Sequence, residues 1–370
     1  MVGGAVAWEG RVSGRFGRGM PHLAAALDQP GVLDAGAYVE LARLAERGGL
    51  DFVTLDDSFA RPGPDALGVL SRVAPATRRI GLVPTVTTTH TEPVQVQAAV
   101  ATLDWVSRGR AGWRIEVSTT EGEARLFGRR HAAPADALWR EAGEVADVAG
   151  RLWDSWEDGA EIRDAATGRF LDRDRLHRVD FTGTAFSVRG PSTVPRPPQG
   201  HPVRVVDATD GDARAVAARY ADVALVRATT PAQAAGARED LRERARACGR
   251  DPGTLRVLAS LLVDLGDGEH AAQPGHGGGG PRPTVRGPLY RGGPVDLAEL
   301  VAGWHADGVT DGFHLVPVEP RRDLERLVNG TVALLQHRGL FRTFYPGGTL
   351  REHLGLARPA NRYAMTGGTS

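Results

Sequence analysis

Lysine is absent from this chain of 370 residues, and all 45 basic residues are arginine. A Walker P-loop, a Schiff-base lysine and a pyridoxal-phosphate site are therefore excluded, because each needs the lysine amine. The single cysteine, Cys248, excludes disulfides within the chain, thiolate zinc sites and cysteine-ligated iron–sulfur clusters. The zincin motif H-E-x-x-H and the hydrolase motif G-x-S-x-G are also missing.

An excess of charge is missing as well, since 45 acidic residues balance the 45 arginines. A nucleic-acid partner is not expected from such a balance. No apolar run reaches the roughly 18 residues of a membrane span, and the first residues lack the basic start of a targeting signal. We therefore expect a cytoplasmic protein without a membrane partner. His270 and His276 stand without a carboxylate cluster, so the pattern favours a solvated loop over a metal site, and no metal is expected.

Short apolar runs alternate with longer amphipathic runs. The predicted strands are Ala5–Trp8, Phe52–Leu55, Ile80–Val86, Gly112–Val117, Val203–Val206, Val223–Val226, Arg256–Val263 and Gly312–Val316. Strands that alternate with helices indicate parallel pairing through crossovers. Eight such units in 370 residues predict an α/β fold, a (β/α)8 TIM barrel, as one domain over residues 1–370. A doubly wound sheet is the alternative, but no dinucleotide fingerprint supports it.

Three segments interrupt or follow the alternation. Residues 154–200, after the fourth predicted helix, are polar and too long for a simple connection, so we expect an excursion from the barrel. Residues 266–293, after the seventh strand, contain GHGGGGPRP and predict a mobile loop. The tail 341–370 is rich in glycine and proline and is expected to lie along the surface.

Several motifs, in order along the chain, resemble the bacterial luciferase-like, flavin-dependent oxidoreductases, in particular the branch of the nitrilotriacetate and dibenzothiophene-sulfone monooxygenases. The longest is IGLVPTVTTTHTEPVQVQAAVATLDWVSRGRAGWRIEVS (Ile80–Ser118), and the others include LWDSWEDGA (Leu152–Ala160) and QHRGLFRTFYPGGTLREHLGL (Gln336–Leu356). The resemblance implies a TIM barrel, reduced FMN from a separate flavin reductase, and O2, which together oxidise a small organic substrate. A homodimer is also expected.

Sites of TIM barrels lie at the C-terminal ends of the strands. The resemblance places an acidic position at Asp57, and a flavin-contact stretch at Thr85 and Thr87. Further polar groups follow the fourth strand at Ser118 and the fifth at Thr209 and Asp210. We expect six residues to bind the cofactor: Asp57, Thr85, Thr87, Ser118, Thr209 and Asp210. His90, in a loop after a strand, is the candidate catalytic residue; the alternative interpretation of Asp57 is a cap of the next segment.

The chain departs from the family pattern where the flavin phosphate is bound. The Gly-Trp-Asn motif ends here in Arg114, and the polar positions of His-x-x-Arg-Tyr are Ala135 and Trp139. At the phosphate-contacting serine stands Asp210, unless Thr209 takes its place. A carboxylate beside a phosphate costs about 1 kcal/mol or more. The sequence therefore predicts a weakened or rebuilt phosphate site, which Arg114 or the pair Arg129-Arg130 would compensate.

Three hypotheses follow. The first is a monooxygenase that uses reduced FMN and O2. The second is a related oxidoreductase that uses the deazaflavin F420 and transfers hydride without oxygen. The third is a flavin-poor barrel that acts as a non-catalytic partner subunit, which the altered phosphate contacts favour, whereas the polar strand ends favour the first two.

Overall fold

The computed structural model describes residues 19–266 and 280–364. Its strands are β1 (His22–Ala26), β2 (Phe52–Leu55), β3 (Gly81–Thr87), β4 (Gly112–Glu116), β5 (Glu161–Asp164), β6 (Arg169–Leu171), β7 (Val179–Thr182), β8 (Ser187–Gly190), β9 (Val203–Asp207), β10 (Val223–Val226), β11 (Arg256–Asp264), β12 (Arg282–Thr284), β13 (Gly287–Arg291) and β14 (Gly312–Pro317). Its α-helices are α1 (Ala35–Arg47), α2 (Ala66–Val73), α3 (Pro93–Ser107), α4 (Glu121–Phe127), α5 (Ala135–Asp154), α6 (Gly211–Tyr220), α7 (Pro231–Ala247), α8 (Pro294–Ala306), α9 (Pro320–Arg326), α10 (Ala333–His337) and α11 (Leu350–His353).

Eight parallel strands close into a barrel. They follow one another in the order β10, β9, β4, β3, β2, β1, β14 and β11, and β10 also pairs with β11. The sheet therefore has no free edge between these strands, which confirms the TIM barrel and excludes the open doubly wound alternative. Among the described residues, no helix is both long and apolar enough to cross a lipid bilayer.

The first barrel strand is not where the sequence suggested. The predicted strand Ala5–Trp8 lies outside the described residues, and β1 pairs in parallel with β2 and β14 in the first barrel position. Its sequence, HLAAA, has no β-branched residue, so propensity gave no signal for it. The small side chains of Ala24, Ala25 and Ala26 suit a strand that is buried on both faces.

The C-terminal tail corrects a second expectation. Instead of lying along the surface, α11 covers the N-terminal end of the barrel. Leu350 and Leu354 are fully buried and pack in one cluster with Phe52 of β2, Val83 of β3 and Leu258 of β11. Because those strand residues point into the barrel, α11 provides the apolar floor of its interior.

The two insertions behave differently. Residues 154–200 form the hairpins β5–β6 and β7–β8, which pair only within themselves, so the predicted excursion is confirmed. In the segment 266–293, residues 267–279 lie outside the described residues, but 282–291 form a hairpin in which β13 pairs in parallel with β11. Residues 282–291 thus have regular structure that composition does not reveal, because an exposed edge of β11 provides backbone partners. Mobility of the segment stays a prediction.

Candidate active site at the barrel mouth

The interior of the barrel changes from apolar to polar towards the C-terminal ends of its strands. Strand residues with the same register share a face, and Thr85 stands opposite Arg114 while Thr87 stands opposite Glu116. The same interior layer carries Asp207 of β9, beside Leu225 of β10. The mouth is thus a ring of charged and hydroxyl side chains above an apolar floor.

Arg114 crosses the mouth. It extends from β4 past β3 and forms an ion pair with Asp56, which also pairs with Arg61, while Glu116 lies 3.8 Å from the Arg114 guanidinium. Burial opposes ionisation of Asp56, but Arg114 and then Arg61 outweigh it and lower the pKa of this carboxyl. Burial raises the pKa of Glu116 in spite of Arg114. The predicted role of Arg114 as a phosphate ligand is therefore not open to it without breaking this network.

His314 is held at the centre of the mouth. Its Nε2 lies 2.8 Å from the Thr54 hydroxyl and its Nδ1 lies 3.0 Å from the Ser260 hydroxyl. Burial, followed by the charge of Arg114, lowers the pKa of His314 to about 3, so the imidazole is neutral at pH 7. A neutral imidazole donates through one nitrogen and accepts through the other, so this histidine orients the two hydroxyls beside it.

A cavity of about 470 Å³ opens between β1, β2, β10, β11, β14 and the β12–β13 hairpin. Of the predicted site residues, Asp57 lines it and the others do not. The Asp57 carboxylate accepts a hydrogen bond from the Ala66 amide at 2.9 Å, and burial raises its pKa. Asp28, which sequence reasoning missed, also lines the cavity and accepts from the Asp56 amide at 2.7 Å. Asp57 therefore caps a local turn, as the alternative interpretation expects, and it also faces the cavity; its role in cofactor binding stays a prediction.

Thr85, Thr87 and Ser118 lie on the other side of Arg114, at the ends of β3 and β4. All three are buried. The Ser118 amide donates to the Thr89 hydroxyl at 3.1 Å, which joins the two strand ends. The Thr85 hydroxyl has no hydrogen-bond partner among the described residues. An unpaired buried hydroxyl is costly, and such groups concentrate where a ligand completes the site.

His90 follows the same strand end in an unusual backbone conformation. Its φ is 69°, in the left-handed region that few non-glycine residues occupy. The ring stacks on Phe127 with centroids 4.8 Å apart, and Phe59 packs against the edge of the Phe127 ring at 4.7 Å. Both ring nitrogens are buried without a partner among the described residues. Burial, followed by the charge of Arg130, lowers the pKa of His90, which keeps it neutral and able to donate or accept one hydrogen bond at each nitrogen.

Thr209 and Asp210 lie between β9 and α6. The Thr209 hydroxyl donates to Asp207 at 2.6 Å and accepts from the Arg227 amide at 3.2 Å. Asp210 is exposed and stands at the N-cap of α6, but its side chain makes no capping hydrogen bond. Arg214, one turn into α6, donates to the carbonyl oxygen of Ala208 at 3.1 Å. Its guanidinium also pairs with Asp240 at 3.0 Å, so this arginine is shared between the helix start and α7.

The other expected phosphate ligands are engaged elsewhere. Arg129 pairs with Glu92 at 2.8 Å, and Arg130 makes a bidentate pair with Glu141 at 2.7 and 2.8 Å. Trp139 is buried in the core between α5 and the sheet. Among the described residues, no group of three or more histidine, cysteine and acidic side chains could hold a metal ion. His270 and His276 lie outside those residues.

Comparisons with known proteins agree with this architecture. A family model described as luciferase-like monooxygenase matches residues 16–325. N-acetyl-S-(2-succino)cysteine monooxygenase of Bacillus subtilis (strain 168) is 33% identical over 88% of this chain and 91% of its own length. Nitrilotriacetate monooxygenase component A of Aminobacter aminovorans is 32% identical over 95% of this chain and 94% of its own length. The crystal structure of a long-chain alkane monooxygenase superposes with a TM-score of 0.80, at 22% identity, over 91% of this chain and 96% of that chain.

Proposed function

Because the chain belongs to the luciferase-like monooxygenase family and is a flavin-dependent oxidoreductase, we propose that it is the oxygenase component of a two-component system. Reduced FMN, delivered by a separate flavin reductase, and O2 are its co-substrates. A small organic molecule is the substrate. The system operates in the cytoplasm, with the whole chain acting as one barrel domain.

The observation that carries this proposal is the group of unsatisfied polar atoms at the ends of β3 and β4. The Thr85 hydroxyl and both nitrogens of His90 are buried without a partner among the described residues. The polar edge of a flavin ring carries both donors and acceptors, so it matches a hydroxyl and a neutral imidazole. These residues, with Thr87 and Ser118, would hold the ring. When bound, reduced flavin supplies the two electrons that activate O2.

The start of α6 would hold the phosphate. The first turn of a helix presents free amide groups to an anion, and no side chain caps this one. The Thr209 hydroxyl stands beside it, and so does Arg214, which would have to share its charge between the phosphate and Asp240. Asp210 adds a negative charge at the same place, so we expect binding that is weaker than in relatives with a serine there.

The chain's own residues then have three tasks. Thr85 and the neutral His90 orient the ring by hydrogen bonds. His314 holds the Thr54 and Ser260 hydroxyls at the boundary with the cavity. The ion pairs of Arg114 with Asp56 and Glu116 close the barrel below, which limits the access of water to the reacting face.

The α3 helix offers the surface for the proposed homodimer. Val94, Trp105 and Val106 are exposed large apolar side chains on this helix, and the exposed face between its caps carries no charged residue. Exposed apolar patches of this kind mark interaction surfaces. A second copy of the chain presents the same uncharged face, so a two-fold pairing leaves no buried charge unmatched.

One feature of the barrel mouth favours the third hypothesis, a non-catalytic partner subunit. Arg114, at a position where the family pattern has an uncharged Asn, pairs with Asp56 across the mouth, and it is the register partner of Thr85. In a partner subunit, this network would stay closed and no flavin would bind.

Anaerobic titration of the purified protein with reduced FMN, and in parallel with reduced F420, distinguishes the three hypotheses. The proposed function expects saturable binding of reduced FMN, followed by flavin reoxidation on mixing with O2. Preference for F420 would favour the deazaflavin enzyme. Failure of both to bind at about millimolar concentration, the limit of weak specific affinity, would favour the partner subunit.

The variant Asp210→Ser tests the phosphate position. Removal of the carboxylate relieves a repulsion of about 1 kcal/mol, so reduced FMN should bind about five-fold more tightly. The matched control is Asp212→Ser, which removes a charge two residues further along the same helix. Equal affinities for wild type and Asp210→Ser would show that the carboxylate is not beside the phosphate.

A further inference from the structure

The cavity beside the proposed flavin site contains two arginines on neighbouring elements. Arg227 follows β10, and Arg286 lies in the turn of the β12–β13 hairpin. The hairpin and Arg227 are in direct contact, since a Cβ on Gly287 would lie 3.5 Å from Cδ of Arg227. Both guanidinium groups therefore belong to one side of the cavity.

Positive charge on this side exceeds the negative charge that meets it. Arg227 pairs with Asp207 at 2.9 Å. Among the described residues, no carboxylate lies within ion-pair distance of Arg286. Asp207 also accepts two hydrogen bonds from Thr209, which leaves it little capacity for a second cation.

The carboxylates on the opposite side of the cavity do not neutralise Arg227 and Arg286. Asp56 is shared between Arg61 and Arg114. Asp28 and Asp57 accept hydrogen bonds from backbone amides of the β2 loop. Within residues 19–266 and 280–364, the side formed by β10 and the hairpin thus has one guanidinium without a carboxylate partner and unused N–H donors on a second.

The rest of the wall is apolar. Leu262 and Val316 line the cavity from β11 and β14, and Val285 and Pro288 line it from the hairpin. Val285 is fully exposed at the tip of the hairpin, so its side chain is available to a bound molecule. A volume of about 470 Å³ is in the range of small-molecule sites.

We infer that this cavity binds the organic substrate and that Arg227 and Arg286 hold it by a carboxylate, so the substrate class is a small organic acid. This inference rests on the proposed function, because it identifies the cavity as the substrate site next to the flavin. A guanidinium fork matches a carboxylate in a bidentate manner, and the apolar wall accommodates the carbon skeleton. The same arginines would also accept a phosphate, so the test must separate the substrate from the flavin phosphate.

The test is a calorimetric titration of the protein, alone and after anaerobic loading with reduced FMN, with tricarballylate as the probe and its uncharged triamide as the comparison. Tricarballylate should bind and the triamide should not. Arg286→Ala should weaken tricarballylate binding by about ten-fold or more, since hydrogen bonds to charged groups are lost, and Arg286→Lys should recover part of it. Reduced FMN should bind equally to wild type and Arg286→Ala.

Arg291→Ala is the matched control, because Arg291 lies on the same hairpin but pairs with Asp264 at 2.9 Å and does not line the cavity. It should leave tricarballylate binding within about two-fold of wild type.

The inference is overturned if wild type binds no tricarboxylate, if the triamide binds equally well, or if Arg291→Ala has the same effect as Arg286→Ala. It is also overturned if Arg286→Ala weakens reduced FMN instead, which would assign the arginines to the phosphate. If tricarballylate binds but reduced FMN does not, the proposed function is contradicted, whereas the carboxylate-binding site at Arg227 and Arg286 is supported.

Discussion

At the scale of single residues, Thr85 lowers the stability of the ligand-free protein. Its hydroxyl is buried at the end of β3 without a partner among the described residues. The hydroxyl therefore contributes to stability only when something else binds to it. Most core threonines behave differently, and Thr54 and Thr331 each have a partner.

The variant Thr85→Val separates ligand binding from folding. Valine has nearly the same shape but removes the unsatisfied hydroxyl, so the melting temperature should stay the same or rise. The dissociation constant of reduced FMN should increase about five-fold, because one hydrogen bond worth about 1 kcal/mol is lost. Thermal unfolding monitored by circular dichroism and an anaerobic titration measure the two effects. A fall in melting temperature without a change in affinity would assign Thr85 to the core alone.

His314 makes folding depend on pH. Its pKa in the folded protein is about 3, below the ordinary value of 6.5. The unfolded chain therefore binds the proton more readily between these values, and the contribution of His314 to stability falls as the pH decreases from about 6.5 towards 3. At pH 7, above both pKa values, His314 is neutral in the folded and the unfolded chain, so this loss of stability is absent.

The variant His314→Asn should remove this pH dependence. Its amide retains a donor and an acceptor for Thr54 and Ser260 but does not titrate. Between pH 7 and pH 5 the wild type should lose about 2 kcal/mol more than the variant, from 1.4 kcal/mol per pH unit below 6.5. Urea unfolding at the two pH values measures the difference. Parallel losses in both proteins would show that another group is responsible.

At the scale of secondary-structure elements, α11 closes the barrel from below and is held by a buried ion pair. Arg351 donates from Nη2 to both oxygens of Asp222 at 3.1 Å and from Nε to the carbonyl oxygen of His201 at 2.7 Å. Both charged side chains are almost completely buried. The pair therefore positions the leucines of α11 under the barrel strands.

We predict that Arg351→Ala destabilises the protein by about 3 kcal/mol, because it leaves Asp222 buried without its bidentate partner. Arg358→Ala is the control: Arg358 also makes a bidentate pair in the tail, with Asp158 at 2.7 Å for both bonds, but this pair is exposed. Its loss should cost about 1 kcal/mol or less. Equal effects in chemical denaturation would mean that the burial of α11 does not depend on Arg351.

At the scale of the whole molecule, the α3 face determines the expected assembly. Trp105 is held by a hydrogen bond from its indole nitrogen to the carbonyl oxygen of Pro195 at 3.3 Å, yet about half of its surface stays exposed. Val106 beside it is equally exposed. A rigid apolar side chain at such a position lowers the entropic cost of association.

If the proposed homodimer forms through α3, the variant Val106→Glu should be a monomer, because a charge in an apolar interface is left unpaired. Ile162→Glu, on β5 of the excursion, changes an exposed apolar residue outside α3 and should leave the dimer intact. Light scattering after size-exclusion chromatography measures the mass of each. A dimer in both variants would place the interface elsewhere.

The sequence by itself determined the barrel, because helical and strand periods alternate along the chain and each element requires one buried face. Local features also follow from local sequence, such as the cap of α1, where the Asp34 carboxylate accepts from the Gly36 amide, and the start of α3 at Pro93. The resemblance to the luciferase-like family placed Thr85, Thr87 and Ser118 at strand ends, where the structure also has them. These properties depend on neighbours in the chain or on a repeated pattern.

Only the tertiary structure decided which charges meet. Arg114 pairs with Asp56 from a strand two positions away, and α11 meets the barrel floor from the far end of the chain. The hairpin that carries Arg286 exists because β13 finds a partner in β11. No local pattern encodes such contacts, since an ion pair or a strand edge depends on distances between residues that are remote in sequence. The charge balance of the cavity, and with it the proposed substrate class, is therefore a property of the folded chain.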